Sequence, residues 1–310
     1  AVVQMVAAGV RITGELEPSG IWRHHIRGGE VEESQLLRSA KEAQRKVLAQ
    51  CSDTWTEDDD RLLKTTLEEV GTSLEGPFTA EQISEKVGPS WIAARRFGIW
   101  QGQKFRPIDD FSEHLVNAAF RSTEKLRLHS VDSVLAWSKV ILNCCSERRL
   151  TMKVEGGKVI RCSLHEEWTM ESWTDLVGRV ADLKSAYKQL AVHPMDHHYS
   201  VIAVRASTTS VHLFRAISLM FGETAAVYNF IRISRAISHL AANLFGIVTA
   251  EYFDDFTQLS QRCLATSAQE SLEGIIQLLG WELAMEEKKR LAFCDRFVCL
   301  GVRILSLIHI

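Results

Sequence analysis

Apolar positions along the chain recur with two periods, and together they predict a mixture of strands and helices. An apolar run at 176–182, which contains Arg179 and ends on a carboxylate, and shorter runs at 199–204 and 211–214 predict three strands. Residues 222–244 follow with apolar side chains at helical spacing, which predicts a long amphipathic helix. The apolar run at 245–249 then leads into a hairpin with polar residues at its turn.

The order of these elements predicts the fold class. A strand, a helix, two strands, a helix, a hairpin and a further helix at about 266–279 are typical of a split βαβ layout. We therefore expect an α+β fold, an antiparallel sheet with helices packed on one face, with 297–302 as a last strand. In that layout Asp182 ends one central strand and Asp254 heads the turn of its neighbour, so two carboxylates 72 residues apart would meet at one edge of the sheet.

The first 90 residues have a different pattern, which predicts a helical N-terminal extension. A charged amphipathic run covers 32–51, an apolar stripe begins at Leu62, and a short helix is expected from Thr79. The acidic run 58–60 invites a metal interpretation, but acidic residues in a first helical turn favour the helix dipole and cap free amides. We assign it no chemistry.

Basic residues flank a predicted turn at 101–103. Arg95, Arg96, Lys104 and Arg106 lie within about a dozen residues, a density that suits phosphate binding but equally fits a solvated charged hairpin. Beyond this hairpin, 112–175 is the least informative stretch. It predicts a helix at 126–142 and, around Gly156-Gly157, a small hairpin of 150–154 with 159–162.

Composition narrows the class of protein. The chain is 46% apolar and 24% charged, and no apolar run approaches the roughly 20 residues of a membrane span. The net charge of −3 argues against a simple polyanion binder, but residues 1–90 carry −6 and the remainder +3, so the basic excess lies with the candidate chemistry. Seven cysteines, an odd number without a Cys-x-x-Cys spacing, indicate a reducing intracellular compartment, cytoplasmic or nuclear.

The strongest chemical signal is the pair Asp254-Asp255, which lies between aromatic residues after a buried strand. Burying a carboxylate is costly unless it is paired or binds a cation. At the tip of a hairpin, this pair could hold a hard divalent ion. The alternative is an ordinary polar turn, because aspartate is a common turn residue.

Six short segments occur in a fixed order between Trp91 and Ile304. They are Lys104-Phe105-Arg106-Pro107-Ile108-Asp109-Asp110, Asp182-Leu183-Lys184-Ser185-Ala186-Tyr187, Leu219-Met220-Phe221-Gly222, Tyr252-Phe253-Asp254-Asp255, Lys288-Lys289 and Leu300-Gly301. In this order they resemble the fingers, first catalytic-aspartate, template-positioning, Tyr-x-Asp-Asp, lysine-bearing and primer-grip motifs of reverse transcriptases, especially those of retroelements. Six ordered matches are far more specific than any single one.

The resemblance implies a domain organisation. Residues 91–176, with part of 191–218, would form the fingers and 177–304 the palm including the primer-grip strand, after the extension at 1–90. Too little sequence follows Ile304 for a thumb, which we expect to be absent. Residues 305–310 look like a translated adaptor from a sequencing library, so we expect a non-native tail there.

The resemblance also implies an activity, RNA-directed DNA synthesis as part of a retroelement polyprotein. Two Mg²⁺ ions, with Mn²⁺ as a substitute, would be held by Asp182, Asp254 and Asp255. The nucleotide would be bound by Lys104, Arg106, Asp110, Tyr187, Phe221, Gly222, Lys288 and Lys289, and the primer by Leu300 and Gly301. The implied partners are an RNA/DNA template-primer duplex, deoxynucleoside triphosphates and downstream ribonuclease H or integrase domains, without a membrane.

Two alternatives stay open at this point. The first is a non-catalytic, decayed polymerase-like domain that binds nucleic acid, against which the three intact aspartates argue. The second is an RNA-dependent RNA polymerase, a family that usually carries a second aspartate where Tyr187 stands. Departures from the family pattern are Met220, where proline is common, Glu223 at a usually neutral or basic position, and a long interval at 111–181.

Overall fold

A computed structural model describes residues 2–49, 54–153, 156–163, 175–286 and 291–305, apart from the side chains of 145 and 146. The chain is α+β, as predicted. Within those ranges the α-helices are α1 (Val2–Ala8), α2 (Glu33–Leu48), α3 (Glu57–Glu68), α4 (Ala80–Val87), α5 (Val131–Glu147), α6 (Thr224–Phe245) and α7 (Ala265–Leu278). Short 3-10 helices lie at Asn117–Ala119, Ala186–Gln189, Pro194–Asp196 and Arg262–Leu264.

The strands form several separate sheets. They are β1 (Gly14–Leu16), β2 (His24–Gly28), β3 (Leu74–Phe78), β4 (Ala93–Gln101), β5 (Lys104–Asp110), β6 (Phe120–Glu124), β7 (Arg149–Lys153), β8 (Val159–Ser163), β9 (Leu176–Asp182), β10 (Val201–Arg205), β11 (Val211–Ala216), β12 (Val248–Tyr252), β13 (Asp255–Gln261), β14 (Arg296–Cys299) and β15 (Val302–Leu305). Among the described helices, none is both long and apolar enough to cross a bilayer.

The chain divides into two compact units. Residues 1–127 and 186–232 form the first unit, and residues 128–185 and 233–310 form the second. The division falls within α6, whose residues up to Arg232 belong to the first unit. Residues 1–90 thus group with the segment that the sequence assigns to the fingers.

The first unit is built on a five-stranded sheet of order β3-β11-β10-β4-β5. Strand β10 runs parallel to β4, and the other neighbours are antiparallel. Trp91, Ile83 and Val201 are buried in the cluster that packs on this sheet. A smaller sheet of order β1-β6-β2 completes the described strands of the unit.

The second unit is built on a three-stranded antiparallel sheet of order β12-β13-β9. Its core includes Leu176 from β9, Ala250 from β12, Leu259 from β13 and Phe297 from β14. Strands β14 and β15 form a hairpin, as do β7 and β8. The second of these hairpins was predicted around its Gly-Gly turn, although the predicted strand residue Val154 lies outside the described residues.

The N-terminal prediction is correct for its helices and incomplete for the rest. Each of α2, α3 and α4 is preceded by an N-cap residue with a reciprocal capping box, namely Glu32, Thr56 and Thr79. However, β1, β2 and β3 also lie within residues 1–90, so this segment is not simply helical. These strands have at most five residues, too few for a clear period of two, and β3 pairs with the distant β11.

Three further predictions need correction. The single last strand at 297–302 is instead the β14–β15 hairpin, because Leu300 and Gly301 both adopt positive φ, of 50° and 78°, as a two-residue type I′ turn requires. Strand β9 is an edge strand, since the central position belongs to β13. Strands β10 and β11 belong to the five-stranded sheet and do not extend the sheet of β9.

One predicted helix has different boundaries in the structure, and the predicted tail begins within a strand. The helix predicted at 126–142 runs from Val131 to Glu147, because Ser130 supplies its capping box. Leu305, assigned to the non-native tail, is the last residue of β15 and pairs with Arg296. The rest of that predicted tail, 306–310, lies outside the described residues.

Candidate active site

The β12–β13 hairpin presents the aspartate pair at its turn. Tyr252 pairs with Asp255, so Phe253 and Asp254 are the two residues of the loop. Phe253 has a φ of 53° and Asp254 does not have a positive φ, which is the sign pattern of a type II′ turn. A positive φ is uncommon for a residue other than glycine. Tertiary contacts must therefore support this turn.

The register of the sheet brings the three predicted aspartates to one end of it. Asp182 is the last residue of β9 and is the direct partner of Asp255 on β13. Directly opposite residues of an antiparallel pair project to the same face, with Cβ atoms about 4.5–5.5 Å apart. The Leu183 amide donates to the Asp254 carbonyl at 3.2 Å, and this bond ties the turn to the end of β9. All three side chains are half-buried.

No protein-family model and no curated protein matches this chain. What the site can do must therefore be argued from its own residues. Three carboxylates at one sheet end form a donor set that suits Mg²⁺, which typically takes one or two protein carboxylates together with substrate phosphates. In the described ranges, no three His, Cys, Asp or Glu side chains already form an ion site. The three aspartates therefore fit Mg²⁺ by the type of their donor atoms and by their register in the sheet.

The end of β9 is held from its other side as well. The Ala284 amide donates to the Asp182 carbonyl at 2.8 Å, and the Lys184 amide donates to the Glu282 carbonyl at 2.9 Å. The first bond fixes the backbone at Asp182 itself, and the second fixes it two residues later. Lys288 and Lys289, which follow this segment, lie outside the described residues.

The sequence prediction missed the side chains that support the hairpin. Ser234 and Arg235 of α6 both contact the hairpin, and Glu251, which lies in its first strand β12, is fully buried. The sequence carried little signal for these contacts, because Arg235 falls on the side of α6 opposite the apolar face that Ile233 and Ile237 define.

The predicted phosphate-binding residues lie on the β4–β5 hairpin of the first unit. Lys104 and Arg106 are exposed on β5 near the turn. At the other end of the hairpin, Arg96 and Asp109 are direct partners across the two strands and form a buried ion pair, with Nε to Oδ1 at 2.7 Å. Asp110 ends β5, and its carboxylate accepts from the backbone amides of Ser112 and Glu113 at 3.0 Å. These bonds stabilise the turn that follows β5, and the nucleotide-binding role of Asp110 stays a prediction.

Residues 219–222, which the sequence predicts to position the template, pack against the end of β5. The Asp109 amide donates to the Phe221 carbonyl at 3.2 Å. Gly222 has a φ of 111°, and a Cβ at this position would overlap the Asp109 carbonyl oxygen, so only glycine fits. The ring of Tyr187 meets those of Phe221 and Phe230 edge-on, with centroids 5.2 Å apart in each case. Tyr187, Phe221 and Gly222 thus belong to the same unit as Lys104 and Arg106.

Glu223 is fully buried in the same segment. Burial raises the pKa of this carboxyl well above its ordinary value, although the Met220 amide donates to Oε2 at 3.1 Å and opposes the shift. The environment therefore favours the neutral acid.

Leu300 and Gly301, the predicted primer grip, form the turn of the β14–β15 hairpin. This hairpin is seated on β9, because the Phe297 ring fills the space that a Cβ at Gly178 would occupy. The Gly178 and Cys294 backbones exchange hydrogen bonds of 3.1 and 3.0 Å. The strand that carries Asp182 is therefore flanked by β13 and by this hairpin.

Proposed function

We propose that this chain carries the palm and fingers of an RNA-directed DNA polymerase, which extends a primer along an RNA or DNA template. The observation that supports this most is the register of the second unit's sheet, with Asp182 opposite Asp255 and Asp254 in the hairpin loop. A polar turn with no chemistry would not need a third carboxylate at the same sheet end. The six ordered motifs supply the rest of the argument.

The roles of the residues follow from their chemistry. Asp182 and Asp254 would hold Mg²⁺ or Mn²⁺, and Asp255 would support them. When bound, two such ions lower the pKa of a primer hydroxyl and stabilise a pyrophosphate leaving group. Lys104 and Arg106 would bind the triphosphate, arginine as a planar fork and lysine as a point charge.

The decisive experiment is template-dependent incorporation of deoxynucleotides by the full chain and by Asp254→Asn. Loss of one ligand removes several kcal/mol of charge stabilisation, so incorporation should fall by about a thousandfold or more. Asp132→Asn, which neutralises an exposed aspartate of α5 in the same unit, serves as the matched control and should retain activity. An active Asp254→Asn variant would refute the proposal. A wild-type chain that binds template-primer without extending it would favour the non-catalytic alternative.

Tyr187 carries the choice between deoxynucleotides and ribonucleotides. By resemblance, its ring lies under the sugar, where it would exclude a 2′-hydroxyl. Tyr187→Ala should raise ribonucleotide incorporation relative to deoxynucleotide by about 10- to 200-fold, the range for one small group in a pocket. Tyr187→Phe keeps the ring and its contacts with Phe221 and Phe230, so it should keep the discrimination. If Tyr187→Ala and Tyr187→Phe discriminated equally between deoxynucleotides and ribonucleotides, the ring of Tyr187 would serve only in core packing.

A further inference from the structure

Two consecutive residues of α6 contact the aspartate hairpin at different points. The Ser234 hydroxyl donates to the Phe253 carbonyl at 2.8 Å. The Arg235 guanidinium pairs with the Glu251 carboxylate, Nε to Oε1, at 2.6 Å. Ser234 and Glu251 have no exposed surface. The helix therefore holds both the loop and the strand that enters it.

Glu251 is held by a second partner. His129 Nδ1 lies 3.0 Å from Oε2 of Glu251, and His129 Nε2 lies 3.1 Å from Arg235. Burial alone would raise the pKa of Glu251, but the hydrogen bond and charge of His129 and the charge of Arg235 lower it below its ordinary value. A buried ionised carboxylate is tolerated only with such partners. This network anchors β12 three residues before Asp254.

The bond from Ser234 acts on one particular peptide. Type I′ and type II′ turns differ in the orientation of the peptide between their two central residues, here Phe253 and Asp254. The Phe253 carbonyl belongs to this peptide, so the Ser234 hydroxyl selects one of its two orientations. That choice determines the direction in which the Asp254 side chain leaves the turn. The strand ladders on either side do not make this choice, because they end at Tyr252, Asp255 and Asp182.

We propose that Ser234, Arg235 and Glu251 are positioning residues, which set the orientation of Asp254 and Asp255 for binding of a divalent cation. The proposal rests on the proposed polymerase function and deepens it. These residues differ from ordinary core residues, because their removal would misplace the carboxylates in a chain that still folds. A displaced ligand weakens metal binding and slows the reaction more than it weakens nucleotide binding.

The test compares Ser234→Ala and Glu251→Gln with Ile237→Val. Ile237 lies on the same helix and is buried, and its aliphatic side chain can form no hydrogen bond with the hairpin, so its variant controls for lost stability. Primer extension should show kcat reduced about 10-fold in Ser234→Ala, with KM for the nucleotide within about twofold. Binding of Mn²⁺ to the protein without nucleotide, followed by electron paramagnetic resonance, should weaken about 10-fold or more in both positioning variants. Ile237→Val should keep both values.

The inference fails if Ser234→Ala behaves like the wild type, or if Ile237→Val loses as much activity and Mn²⁺ affinity at an equal fall in Tm. Failure of the proposed function looks different, since the wild type would then incorporate no nucleotide. In that case the Mn²⁺ binding measurement still tests the positioning role. Binding that Asp254→Asn abolishes and Ser234→Ala weakens supports the positioning role, and the absence of such binding overturns it.

Discussion

The two hairpins that carry the candidate chemistry are anchored at opposite ends. On β4–β5, the buried pair Arg96–Asp109 lies far from the turn, and the cationic side chains near the turn are exposed. On β12–β13, the Ser234 bond reaches the loop itself, and Glu251 is held close to it. The first hairpin has its buried anchor at the base and only solvent-exposed contacts, such as that of Trp100 with Asp58, near its tip, whereas the second has its buried anchor close to the tip.

This difference matches the chemistry proposed for each hairpin. Metal ligands must keep their geometry closely, so an anchor at the loop suits a pair of carboxylates. Cations that bind a mobile triphosphate act through long side chains, and segments that close on substrates are drawn from the less constrained parts of a fold. An anchor at the base keeps the cationic hairpin in register and leaves its tip exposed.

The largest effect is expected from a substitution in the Arg96–Asp109 pair at the base of the β4–β5 hairpin. Arg96→Met leaves Asp109 buried without its partner and should lower the free energy of unfolding by about 3–5 kcal/mol, measured by urea denaturation. Arg96→Met combined with Asp109→Leu removes both charges. It should recover most of the loss, because Glu69, which also pairs with Arg96 at 3.0 Å, keeps its ion pair with Lys188 at 2.5 Å. A double variant no more stable than the single one would show that the pair is not the anchor.

The next effect concerns function at the exposed tip of the same hairpin. Arg106→Ala removes one charged hydrogen-bonding group, worth about 1.5–3 kcal/mol, so KM for the nucleotide should rise about 10- to 100-fold. Stability should change little, because the side chain is exposed. Arg95→Ala is the matched control, an exposed arginine of β4 that pairs with Glu113 at 3.3 Å near the base. Equal increases in KM for both variants would argue for a general charge effect.

The sequence predicted the features that depend on neighbouring residues better than those that depend on residues far apart in the chain. The strand ending at Asp182 and the hairpin at Asp254 were both predicted, because each follows a local apolar run. Their meeting at one sheet end was also predicted and agrees with the register of β9 and β13. In contrast, the edge position of β9 depends on which strands reach its other side, and no local pattern encodes that.

The supporting contacts were the least predictable part. The pairing of Arg96 with Asp109 follows from the register once the turn at 101–103 is known, so a signal existed for it. The bond from Ser234 to Phe253 depends on how α6 packs on the hairpin, and serine within a helix carries no sign of its partner. The turn at Leu300 was missed because leucine rarely adopts a positive φ.

The smallest expected effect concerns Glu223 and its dependence on pH. Its pKa is raised in the folded chain, so the folded state binds this proton more tightly than the unfolded state does. Stability contributed by this group is therefore greatest at low pH and is lost as the pH rises above about 4.3, the ordinary value for glutamate in an unfolded chain. Glu223→Gln keeps an oxygen that can accept from the Met220 amide and cannot ionise.

Glu223→Gln should therefore match the wild type near pH 4 and exceed it at pH 7, by about 0.5–2 kcal/mol, the usual range for one stabilising substitution. Urea denaturation across this pH range measures the difference. Glu85→Gln, which removes an exposed glutamate of α4 in the same unit, is the control, and its effect should not grow with pH. If the stability of Glu223→Gln instead fell relative to that of the wild type as the pH rises, the carboxylate would be the form that the fold requires. In that case, Glu223 would carry a buried negative charge near Asp109, and the neutral interpretation of this position would be wrong.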